Sequence, residues 1–186
     1  MIPTRFKPRA NREAFAGQQG EGDAQNEAFQ VESEDLATVL IRFEGGARGA
    51  VSVGQVCAGH KNDLWFEING RGGSLRWRQE QQNALWIGRR ETANSVLQKD
   101  PSLLHEGARR YAHLPGGHQE AWADAFCNVM RDVYEFIASG RAVDERKPPA
   151  FATFEDGYYA ACVVDAILDS HARGGVWTDV TTRGEG

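Results

Sequence analysis

The chain has 186 residues, of which 41% are hydrophobic and 25% charged, and its formal net charge is −5. That size and balance fit one globular domain with room for a core. The negative charge excludes a nucleic-acid footprint, which needs a basic face, and gives no pull toward anionic membranes.

Residues 1–35 read as a lead-in, partly flexible, because Gly17-Gln18-Gln19-Gly20-Glu21-Gly22-Asp23 is polar and glycine-rich. Met1 to Asn11 holds no apolar stretch of the kind a leader needs, and no run of 18 apolar residues follows, so neither leader nor span is predicted. The expected compartment is the cytoplasm.

From residue 36 the pattern becomes period two. Ala37, Val39, Ile41 and Phe43 alternate with Thr38, Leu40 and Arg42; after the turn Glu44-Gly45-Gly46, Ala47, Gly49, Val51 and Val53 alternate with Arg48, Ala50 and Ser52. Two such runs around a short glycine turn predict a hairpin. A third strand carries Leu64, Phe66 and Ile68 on one face, and Asn69-Gly70-Arg71-Gly72-Gly73 turns the chain. Ser74–Arg78 and Ala84–Arg89 continue the meander, and Ser95–Lys99 adds an edge strand. The second sheet face is read as carrying Trp65, Arg76 and Leu85, an aromatic surface suited to a subunit interface.

Helical spacing follows. Gln119–Ser139 places Trp122, Phe126, Val129, Met130, Val133 and Ile137 on one stripe expected to face inward, and Gly140 stops it. Thr153 with Asp156 forms a capping-box pattern for a helix reaching about Ala172, with Tyr158, Ala161, Cys162, Ile167 and Leu168 inward. Gly174-Gly175 ends that helix, and Val176–Val180 is read as a returning strand. Strands then helices predict an α+β fold: an open, mainly antiparallel sheet with helices packed on one face, and no Rossmann domain in this chain. Residues 36–180 form this domain and 181–186 a tail.

Several chemistries are excluded by pattern. Gly70-Arg71-Gly72 has Leu75 where a dinucleotide fingerprint needs its third glycine, and it lies between strands rather than before a helix. His118-Gln119-Glu120 supplies a deaminase-like HxE, but no PCxxC follows. Cys57, Cys127 and Cys162 are odd in number, far apart and expected to be buried reduced thiols, so no metal site is predicted. Phe154-Glu155-Asp156 is read as acids matched to a helix dipole.

Two loops hold the candidate binding residues. After the second strand come His60, Lys61 and Asn62: Lys61 can hold an oxygen anion, and Asn62 both donates and accepts. Otherwise the stretch is a solvated loop. In Leu114-Pro115-Gly116-Gly117-His118-Gln119-Glu120, backbone is brought close to a neighbour and His118 stands at a predicted helix start. It is either a ligand or proton-transfer group or a surface histidine near a cap.

Leu40-Ile41-Arg42-Phe43-Glu44-Gly45-Gly46-Ala47-Arg48-Gly49, Gly59-His60-Lys61-Asn62, and Phe66-Glu67-Ile68-Asn69-Gly70 with Gly73-Ser74-Leu75 resemble the sheet of the glucose–fructose oxidoreductase, inositol dehydrogenase and MocA family. Pro115-Gly116-Gly117-His118, Phe154-Glu155-Asp156-Gly157 and Trp177 resemble its later segments. The resemblance covers residues 36–180. It implies the substrate-binding and oligomerisation domain of an NAD(P)-dependent sugar or polyol dehydrogenase, with hydride transfer at a secondary alcohol in the intact enzyme. It implies NAD or NADP held by an N-terminal domain that this chain lacks, with no cofactor on the chain alone, and assembly into a homo-oligomer through the sheet face. His118, Lys61, Asn62 and His60 are the residues expected to line the sugar or polyol. The family's GxGxxG, Glu-Lys-Pro and Asp-x-x-x-His segments are missing, so the chain is expected to be a truncated enzyme, inactive alone. The alternative is a stand-alone polyol-binding or assembly module without catalysis.

Overall fold

A computed structural model describes residues 34–144 and 147–182. The predicted lead-in, apart from Glu34 and Asp35, and most of the predicted tail lie outside the described residues. The chain divides into two compact units, residues 1–59 and 60–186.

In the first unit, β1 (Leu36–Arg42) and β2 (Arg48–Gly54) pair antiparallel from Leu36↔Gly54 to Arg42↔Arg48. The Gly46 N–H donates to the Phe43 carbonyl at 2.9 Å, and the Phe43 N–H donates to the Ala47 carbonyl at 3.1 Å. Gly46 has φ 88°, a left-handed conformation that a side chain resists. Ala37, Val39 and Ile41 are half-buried and alternate with exposed Leu36, Thr38 and Leu40, as the period-two pattern requires.

In the second unit, β3 (Trp65–Asn69), β4 (Gly73–Arg78), β5 (Ala84–Arg89) and β6 (Ser95–Gln98) form a four-stranded antiparallel meander in that order. The helices are α1 (Glu106–Arg109), α2 (Trp122–Ala138) and α3 (Phe154–Ala172). The α+β class with open antiparallel sheets is borne out, with the strands shared between two sheets. Register sets the faces of the larger sheet. Partners Phe66↔Trp77, Ile68↔Leu75, Leu75↔Ile87, Trp77↔Leu85 and Leu85↔Leu97 share one side. Trp65, Glu67, Arg76, Arg78, Trp86 and Val96 share the other. Leu85 therefore does not join Trp65 and Arg76; Trp86 does, with the Arg76 guanidinium 4.9 Å from its ring centroid. The short 3-10 turn Gln79–Gln81 between β4 and β5 fixes that parity, which alternation within each strand does not reveal.

Helix α2 starts at Trp122, later than the expected Gln119, and its Ala121 N–H is held by Asp124 at 2.8 Å. Its buried and half-buried positions include Asn128, Arg131, Asp132 and Phe136, whereas Trp122, Phe126, Val129, Met130 and Ile137 are exposed. Val133 of the predicted apolar stripe is half-buried as expected, while its other five residues are exposed, because the inward side also meets polar groups of residues 110–113. Helix α3 buries Cys162 and half-buries Ile167, with the Thr153 and Asp156 capping box in place; Tyr158 and Leu168 are exposed. Cys57 and Cys127 are exposed free thiols, contrary to expectation. Val176–Val180 is not a strand: Ser170 Oγ donates to the Val176 carbonyl at 2.7 Å, and the segment closes the end of α3. Among the described residues no helix is long and apolar enough to cross a membrane.

Candidate binding cavity

A cavity of about 950 Å³ lies in the second unit between the Trp77 face of the sheet and the start of α2. That volume is within the range of small-molecule sites. Leu64, Trp77, Leu85 and Leu97 form its sheet wall; Leu104, Ala108 and Trp122 face them from the helical side. Asn62, Gln79, Glu80, Gln82 and Asp124 add polar groups to the lining.

The cavity is braced by a network that ties the sheet to the approach to α2. The Asn83 amide donates to the Glu120 carbonyl at 2.9 Å and to Gln119 Oε1 at 2.8 Å, and its Oδ1 accepts from the Glu120 N–H at 3.2 Å. Lys99, just beyond β6, donates to the Glu120 carboxylate and to the Leu114 carbonyl. Glu120 is only 9% exposed. Burial alone would raise its pKa, but the Lys99 ammonium and the backbone N–H groups of His113 and Leu114 outweigh that and hold it below the usual value. A second brace joins residues 110–113 to α2. Asp132, 7% exposed, accepts from Arg110 at 2.6 Å and from the Tyr111 hydroxyl at 2.8 Å. That bond to Asp132, followed by burial, raises the Tyr111 pKa.

The four sequence-predicted residues are dispersed. Asn62 lines the cavity. His60 is turned to Asp63, with Nδ1 at 2.7 Å from Oδ2, and Arg78 holds the other carboxylate oxygen at 3.2 Å. The His60 bond, then the Arg78 bond, lower the Asp63 pKa. Asp63 has φ 33°, a left-handed conformation that this anchoring holds in place. Lys61 is exposed and is not part of the cavity wall. His118 is exposed in a turn four residues ahead of α2, where its N–H donates to the Pro115 carbonyl at 3.2 Å and Gly117 has φ 82°. It is therefore not at the helix start itself. Lys99, Asn83 and Tyr111 were not marked by the sequence, since they meet their partners across 21 to 37 residues. Glu120 was visible in the failed HxE pattern and in the His118 loop, but without a role of its own.

The described residues do not fit a nicotinamide dinucleotide. Gly70–Gly73 is a hairpin turn closed by the Gly70 N–H on the Gly73 carbonyl at 2.9 Å, and it leads into a strand. Both long helices open on acids, Asp124 in α2 and Glu155 with Asp156 in α3, which repel a pyrophosphate. Among the described residues no group of three or more His, Cys, Asp or Glu side chains could hold a metal ion.

The chain is similar to known proteins in sequence and fold. A model described as the oxidoreductase family, C-terminal alpha/beta domain, matches residues 5–180. Levoglucosan dehydrogenase of Pseudarthrobacter phenanthrenivorans is 30% identical over 156 residues, 81% of this chain and 37% of that protein. An oxidoreductase structure from Sinorhizobium meliloti matches with a TM-score of 0.73 at 29% identity, over 80% of this chain and 42% of that one. An inositol dehydrogenase homolog from Azotobacter vinelandii, solved with NADH and myo-inositol, matches with a TM-score of 0.66 at 27% identity, over 78% and 39% respectively. The chain thus spans about two-fifths of the length of these relatives.

Proposed function

The chain belongs to the glucose–fructose oxidoreductase, inositol dehydrogenase and MocA family, in its C-terminal alpha/beta domain, and from that premise we propose that it is the substrate-side and assembly domain of an NAD(P)-dependent sugar or polyol dehydrogenase. The observation that carries this reading is the cavity, where Trp77 and Trp122 offer flat apolar surfaces beside the amides of Asn62, Gln79 and Gln82. A polyol ring has an apolar C–H face and a hydroxyl edge, and that pairing of surfaces complements both. The relative from Azotobacter vinelandii holds myo-inositol and NADH, which supports a polyol as ligand and a nicotinamide as hydride carrier in the intact enzyme.

On this reading the chain's residues bind and orient. Asn62 addresses a hydroxyl and the Lys99–Glu120 and Arg110–Asp132 pairs fix the walls, while His60, Lys61 and His118 stand in loops outside the lining. The dinucleotide is supplied with its own domain, since this chain's glycine turn and acidic helix starts do not fit it. Assembly uses the outer sheet face of Trp65, Arg76 and Trp86, where Trp65 and Val96 are exposed. The test is a dehydrogenase assay with myo-inositol or levoglucosan, with and without an added dinucleotide-binding domain from a relative. Turnover only with that domain supports the reading. Robust turnover by the chain alone overturns it, and no turnover in a stable two-part complex favours a non-catalytic polyol-binding module.

A further inference from the structure

We infer that the cavity selects uncharged polyols and rejects sugar phosphates and sugar acids, because Lys99, the one cation in its lining among the described residues, is already consumed by Glu120. This rests on the polyol reading above and narrows its substrate class.

Charge and geometry carry the inference. The lining holds one cation, Lys99, against three carboxylates, Glu80, Glu120 and Asp124. The Lys99 ammonium lies against the Glu120 carboxylate and also donates to the Leu114 carbonyl, with both side chains largely withdrawn from water. Turning it toward an incoming anion would leave the buried Glu120 carboxylate with backbone donors only, a costly loss of its counter-charge. Glu80 and Asp124 each use one carboxylate oxygen locally: Glu80 accepts from the Asp63 N–H at 3.4 Å, and Asp124 from the Ala121 N–H at 2.8 Å. Their remaining oxygens accept hydrogen bonds and repel anions. Hydroxyl groups donate to such carboxylates and exchange bonds with the amides of Asn62, Gln79 and Gln82; phosphates and carboxylates donate nothing and meet like charge.

Four other cations adjoin lining residues in sequence and do not alter this balance: Arg110 is held by Asp132 and Glu135, and Arg109 donates to the Leu104 carbonyl. Lys61 is exposed and outside the cavity wall, and Arg78 is taken by Asp63 at 3.2 Å. A site built for a phosphate or carboxylate presents an uncommitted Arg or Lys, or a helix start free of acids. Neither lies in this lining.

The experiment is a binding panel on the 186-residue chain, followed by NMR at low salt through the indole signals of Trp77 and Trp122 and the amide of Asn62. Levoglucosan and myo-inositol are the uncharged probes; D-gluconate and glucose 6-phosphate are the anionic ones. The uncharged probes are expected to bind at least about tenfold more tightly, a difference of about 1.4 kcal/mol. Glu120→Gln, which releases Lys99, is expected to narrow that gap by strengthening the anionic probes about tenfold. Equal or tighter binding of gluconate or glucose 6-phosphate by the natural chain overturns the selection while leaving the polyol reading intact. An unchanged preference in a folded Glu120→Gln variant also overturns it. If that variant does not fold, the panel on the natural chain decides alone. If no probe moves the cavity signals, the polyol reading itself fails and the selection falls with it.

Discussion

Glu120 is held between opposing effects: burial favours its neutral form, while Lys99 and two backbone N–H groups favour the charged one and prevail. Lys99→Met removes the ammonium and leaves the carboxylate with backbone donors only. The expected loss is about 2 kcal/mol of stability, read from denaturant midpoints, and the His118 loop should exchange its amides faster. Acid titration probes the same logic more widely. The carboxyls of Asp63, Asp100, Asp156 and Glu120 are all held below their ordinary values, by His60, Ser102, Thr153 and the Lys99 network respectively. A depressed native pKa contributes stability above the unfolded value of about 4 and loses it as the pH falls through the native value. Thermal midpoints should therefore be flat from pH 7 to about pH 5 and fall steadily below about pH 4. A midpoint that is unchanged down to pH 3 would contradict these pairings. Individual partners of this kind are hard to read from sequence. Asn83 and Glu120 are 37 residues apart, and nothing local to either marks the other.

Elements with local punctuation were legible. Gly46 announces the first hairpin, Gly140 ends α2 with φ 64°, and Thr153 with Asp156 opens α3. Thr153→Ala should cost about 1 kcal/mol through the lost cap, measured by thermal or denaturant unfolding. What failed were features decided by neighbours. The parity of β5 depends on the turn after β4, α1 has only four residues and is capped by His105, and Val176–Val180 has no strand beside it among the described residues. The exposure of all but Val133 in the apolar stripe of α2 is a tertiary override of a clear helical period. Sheet packing gives a sharper test at two adjacent glycines. A Cβ on Gly73 would meet the Gly88 carbonyl oxygen at 2.8 Å, whereas one on Gly72 meets nothing within 4 Å. Gly73→Ala is expected to destabilise by about 1–3 kcal/mol, and Gly72→Ala to be near neutral; equal effects would contradict the β4–β5 register.

For the whole molecule, the exposed apolar surface needs a function. Trp65 and Val96 lie exposed on the outer sheet face, with Arg76 stacked on Trp86 between them, and exposed patches of this kind mark association surfaces. Trp65→Lys with Val96→Lys should shift the chain toward a smaller species in light scattering after size separation; an unchanged mass would remove this face as the interface. The central claim is that the chain recognises a polyol and leaves the dinucleotide to another domain. The most direct measurement is a pair of calorimetric titrations of the chain alone, one with myo-inositol or levoglucosan and one with NADH. The account predicts saturable heat with the polyol and none with NADH at the same concentrations. Tight NADH binding with a silent polyol titration would contradict it.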